Sequence, residues 1–101
     1  MLKESVIDDL RALGQTRGRA VLNATTERLE SNPLTTDKHL KTLRPNPVAD
    51  RQLSLFGRYR VLFTVDAPQK IVTVVLVGEK RGNSLYVQGE RFTAHESRSP
   101  K

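Results

Sequence analysis

A chain of 101 residues suits one domain with a modest core. The absence of cysteine excludes disulfides and thiolate metal sites, and no run approaches the roughly 20 apolar residues of a membrane span. Seventeen Lys+Arg against eleven Asp+Glu give a formal charge of +6 and a pI near 10.2, a balance that favours polyanionic partners.

The N-terminus lacks the apolar core of a signal peptide, so the expectation is a cytoplasmic protein. Val6, Leu10 and Leu13, with Ile7 beside them, predict a helix over residues 3–13 that Gly14 stops. Val21, Leu22, Thr25 and Leu29 predict a second helix ending before Asn32-Pro33, which makes the pair an antiparallel hairpin. Arg11, Arg17, Arg19 and Arg28 are read as its solvated face. Asp8-Asp9 is read as an acidic pair at a helix start, where the dipole favours carboxylates.

Residues 33–50 hold Pro33, Pro45 and Pro47 and read as a loop. The period then becomes two. Leu53 and Leu55 alternate with Gln52 and Ser54, and Tyr59, Val61, Phe63 and Val65 alternate with Arg60, Leu62, Thr64 and Asp66. Gly57-Arg58 and Ala67-Pro68-Gln69 read as the turns beside that second strand. Residues 71–77, IVTVVLV, are apolar on both faces and predict a central strand. Residues 78–83 read as a polar loop, 84–88 as a last short strand, and 89–101 as polar and frayed. The expected fold is α+β: a helical hairpin packed on one face of a mostly antiparallel sheet, in one domain over 1–92 with a polar tail over 93–101. Parity turns Arg60, Gln52 and Ser54 away from the helices.

The segments DLRAL (9–13), KTLRPNP (41–47), GRYRVLFTVD (57–66) and IVTVVLVGEKRGNSLYVQGERF (71–92) together resemble the RelE/ParE superfamily of toxins from bacterial type II toxin–antitoxin pairs. The resemblance implies a small antiparallel sheet with two helices on one face. The family's first strand, before the first helix, looks missing here, and an exposed sheet edge is expected in its place. The resemblance also implies a ribosome-dependent mRNA endonuclease that needs no cofactor and no metal and is neutralised by a cognate antitoxin. Carried over by position, Arg60 would brace the scissile phosphate, Lys80 and Arg81 would serve the leaving side, and Tyr86 would stack near the substrate nucleotide. Arg51, Arg58, Gln52 and Ser54 are the candidate RNA contacts around them. Gln52 and Ser54 stand where RelE-type ribonucleases carry lysines that help activate the 2′-hydroxyl, and neither is a base.

Each candidate also has an ordinary reading. Arg60 serves equally as a solvated strand residue, Lys80 and Arg81 as turn charges, Tyr86 as a rim aromatic and Arg58 as a turn charge. Tyr59 alternates with the core set and is read as packing. His39 and His95 lack a second ligand at metal spacing, and GEKRGNS is no phosphate-binding glycine loop. Two other functions fit the same resemblance: a ParE-like inhibitor of DNA gyrase without catalysis, and an attenuated family member without activity.

Overall fold

The computed structural model describes residues 1–92, which form two helices and one six-stranded antiparallel sheet. Both the tail over 93–101 and His95 lie outside the described residues. Helices α1 (Glu4–Ala12) and α2 (Gln15–Ser31) precede strands β1 (Leu40–Thr42), β2 (Arg51–Leu55), β3 (Tyr59–Asp66), β4 (Ile71–Arg81), β5 (Ser84–Val87) and β6 (Glu90–Phe92). The strands lie in chain order across the sheet, so each pairs with its sequence neighbour.

The helical hairpin forms where the apolar spacing predicts it. Gly14, at φ +94°, takes the left-handed turn between the helices at no steric cost. Gly18 lets them close: a Cβ there would sit 2.5 Å from the Leu10 carbonyl oxygen. Val6 and Val21 then reach the sheet face formed by Leu40, Leu53, Tyr59, Val61, Phe63, Val74 and Val77. Tyr59 is buried there, as its parity predicts.

The other sheet face is less open than parity alone suggests. Leu62 and Leu76 are buried on it beneath Ala49 and Val87, with Leu43 and Val48 of the β1–β2 connection packed alongside. The presence of apolar residues on both faces of 71–77 is thus explained: β4 serves two cores. Its register with β3 runs Leu62↔Leu76 and then Phe63↔Val74, so Val75 is the extra residue of a β-bulge.

Five expectations need correction. Residues 40–42 and 90–92 are strands; each has three residues, too few to show a period against the loops around them. Residues 78–81 continue β4 instead of starting a loop, because Glu79, Lys80 and Arg81 pair with Tyr86, Leu85 and Ser84. Arg28 is not simply solvated. Its Nη2 donates to the Thr35 carbonyl and reaches Asp37 at 3.1 Å, and Nε donates to the Asn32 carbonyl, so it ties down the turn after α2.

The fourth concerns the sheet edge. No strand is assigned before α1, yet Leu2 bridges Val74 in parallel. The Lys3 N–H donates to the Val74 carbonyl, and the Val74 N–H to the Met1 carbonyl, both at 2.8 Å. The first three residues therefore cover β4 where β5 does not reach. Between them and β5, the buried Asp9 accepts the Val77 N–H on Oδ2 at 3.0 Å. Asp9 is thus no acid of a helix start: it lies past the first turn of α1, faces the sheet and takes a backbone donor of β4.

Candidate functional site

The strand register sorts the sequence candidates onto two faces. Arg60 lies opposite Ser54 on β2 and Gly78 on β4. Gln52 lies opposite Leu62 and Lys41, and Lys80 opposite Leu85. These residues share the face turned away from the helices. Arg60 is half-buried, and one guanidinium nitrogen donates to the Tyr59 carbonyl at 3.1 Å, which fixes the side chain along its own strand. Gly78 is tightly enclosed: a Cβ would meet the Tyr86 carbonyl oxygen at 2.7 Å and the Leu85 and Val87 side chains at 3.0 Å. The missing side chain lets β5 fold closely over β4 beside Arg60.

Arg81 and Tyr86 fall on the other face, which Glu79 shares through its pairing with Tyr86 and Tyr59. Glu79 was not singled out in the sequence, where it read as one charge in a loop. It anchors a cluster: its carboxylate holds Arg81 at 3.3 Å and Arg58 at 3.5 Å. The Arg81 guanidinium lies 4.8 Å from the centre of the Tyr86 ring, within cation–π range. Arg51 also belongs to the helix-side parity, opposite Phe63, and donates to the Thr42 hydroxyl at 3.3 Å. Of the eight candidates, Arg60, Lys80, Gln52 and Ser54 therefore share one face. Arg51, Arg58, Arg81 and Tyr86 do not join them.

Beside Arg60, the same face carries a groove of 860 Å³. Its floor includes Gln52 and Leu62; one wall is the 43–46 segment and the other is β5–β6. Asn46 shapes the first wall. Its Nδ2 donates to the Arg44 and Ala49 carbonyls, and its Oδ1 accepts the Val48 and Ala49 N–H groups. Lys41, Arg44 and Arg91 line the groove, and none of its lining residues is acidic. Sequence reasoning missed these three cations because they lie on separate elements, in a loop reading or in the frayed tail.

Among the described residues, no group of three or more His, Asp or Glu is placed to hold a metal ion. No helix among them is long and apolar enough to cross a membrane. No family model, curated protein or solved structure matches this chain.

Proposed function

We propose that this chain is the toxin component of a RelE/ParE-type toxin–antitoxin pair, acting as a ribosome-dependent mRNA endonuclease and held inactive by a cognate antitoxin. The observation that carries the reading is the shared face of Arg60 and Lys80, which continues into a groove lined by cations and no acid.

In this reading the RNA 2′-hydroxyl attacks the adjacent phosphorus. The P–O5′ bond breaks, leaving a 2′,3′-cyclic phosphate and a 5′-hydroxyl. Arg60 donates to the phosphate oxygens as negative charge builds on them, the step where preorganised donors contribute most. Lys80, exposed at the end of β4, supplies a proton to the departing 5′-oxygen. Gln52 and Ser54 position the nucleotide but accept no proton, so the 2′-hydroxyl proton passes to solvent or to a ribosomal group. Mapping mRNA ends on translating ribosomes by primer extension tests this. Wild-type protein should give A-site cuts that Arg60→Ala abolishes, and uncut message with both proteins would sink the reading.

A second reading draws on the turning of Arg81 and Tyr86 to the opposite face. Without them beside Arg60, a non-catalytic inhibitor of DNA gyrase uses the same fold as a binding surface. Inhibition of gyrase supercoiling by Arg60→Ala protein, without RNA cleavage by wild type, would select it.

A further inference from the structure

We infer that Phe92 is a base-stacking platform in the groove, and that Lys41 and Arg44 hold the phosphates of the RNA strand running through it. The inference rests on the reading above, and it adds a subsite that none of the carried-over site residues supplies.

Three observations carry it. The chain has five aromatic residues. Tyr59 and Phe63 are buried in the helix-side core, Phe56 sits at the β2–β3 turn and Tyr86 has the opposite parity. Phe92, half-buried opposite Leu85 on the edge strand, is the one aromatic that lines the groove. Second, Arg44 of the 43–46 wall and Lys41, paired with Gln52 on the groove face, line the groove, and no carboxylate lies among the lining residues; Arg91, paired with Tyr86, has the opposite parity. A phosphate backbone is attracted to that wall. Third, Gln52 is two residues along β2 from Ser54, the neighbour of Arg60, about 7 Å at strand spacing. A strand whose phosphate is held at Arg60 thus passes directly into the groove. A cationic wall beside an aromatic surface is the combination that holds single-stranded nucleic acid.

An acidic peptide matches the charges, but it gains nothing specific from an aromatic ring. A short single-stranded RNA gains both contacts, so it is the occupant assigned here.

The test uses the full chain and a fluorescein-labelled eight-nucleotide RNA, read by anisotropy at low salt. Phe92→Leu should weaken binding on the order of 10-fold, the usual effect of losing one stacked base. Phe92→Trp should retain wild-type binding. Replacing nucleotides one at a time by abasic residues should reveal a position that matters to wild type and is indifferent to Phe92→Leu. Lys41→Ala and Arg44→Ala should each lower the log–log salt slope by about 0.7, the single-strand value per phosphate, while Phe92→Leu leaves it unchanged. Thermal unfolding of each variant confirms that it is folded. Equal RNA binding by wild type and Phe92→Leu, with identical abasic profiles, overturns the inference. So does tight binding of an acidic peptide that competes with the RNA while Phe92→Leu changes neither. Ribosomal cleavage with ring-independent binding removes the subsite and leaves the endonuclease. Ring-dependent binding without cleavage does the reverse.

Discussion

Asp9 on α1 and Gln88 in the β5–β6 turn are joined by a 2.7 Å hydrogen bond across 79 positions of sequence. Gln88 donates through Nε2 to Asp9 Oδ1, while Oδ2 takes the Val77 N–H. One carboxylate therefore fastens a helix, a central strand and a hairpin turn together. Gln88 and Gly89, at φ 54° and 81°, form the two-residue turn of left-handed residues that matches the twist of a hairpin, which holds the amide at this position.

Asp9→Asn should cost about 1–3 kcal/mol, because a carboxamide has one oxygen for two donors and turns an NH2 towards one of them. Gln88→Ala should cost less, about 0.5–1.5 kcal/mol for a hydrogen bond whose donor is at the surface. The double mutant should fall short of the sum. Urea unfolding of the four proteins measures this, and strict additivity would rule out the coupling.

Gly78→Ala should destabilise by about 1–3 kcal/mol, the ordinary effect of overpacking a close contact. The new methyl would lie 2.7 Å from a backbone oxygen that cannot swing aside. Gly18→Ala sets two effects against each other. Helix propensity favours alanine by about 1 kcal/mol, but the contact at 2.5 Å with the Leu10 carbonyl pushes the helices apart. The contact should win, giving a lower thermal midpoint. A rise in midpoint would mean that the helices separate freely.

Under the proposed endonuclease reading, Arg60→Ala should reduce RNA cleavage by about 100-fold or more, as removal of a donor to a developing oxyanion does. Tyr86→Phe should change it by only a few-fold, because Tyr86 shares its face with Glu79 rather than with Arg60. Cleavage rates on programmed ribosomes measure both. A loss with Tyr86→Phe as large as that with Arg60→Ala would require the two faces to act on one substrate.

Asp37 should respond to pH. The His39 N–H bonded to its carboxylate holds its pKa below the ordinary 3.8, against an opposing desolvation effect; the Leu40 N–H and Arg28 lower it further. A depressed folded value stabilises the fold above the unfolded pKa, and that support fades as pH falls below 3.8 through the folded value. Carboxyl NMR titration should give a midpoint under 3.8. Over the same range the His39 and Leu40 amides should lose hydrogen-exchange protection. A midpoint at or above 3.8 would contradict the bonding at the start of β1.

Much of the architecture was legible because apolar periodicity is a local signal. The hairpin is written in Val6, Leu10 and Val21, and the sheet face in Val61 and Phe63. What escaped is pairing, which depends on a partner elsewhere. Nothing in LKT or ERF marks a strand until β2 and β5 lie alongside, and Asp9 looks like any helix acid until Val77 offers it a donor. The site split for a related reason. Parity placed Arg60 correctly relative to Gln52 and Ser54, but Tyr86 could be assigned a face only once its register with Glu79 was fixed.

The pairing of the first residues with β4 also bears on how the chain folds. Every strand pairs with its sequence neighbour, so the sheet can assemble by short closures. Among the described residues, the first three residues and α1, through Val6 and Asp9, must instead find partners on β4 or beyond, roughly 70 or more positions away. During synthesis the helical hairpin emerges first, but its seat is not complete until Val77 and Gln88 have been made. Closure of that long loop has the largest sequence separation in the described fold, the kind of non-local contact that slows folding. A nascent chain halted before Val74 would therefore carry Val6 and Asp9 without the β4 residues that complete their seat.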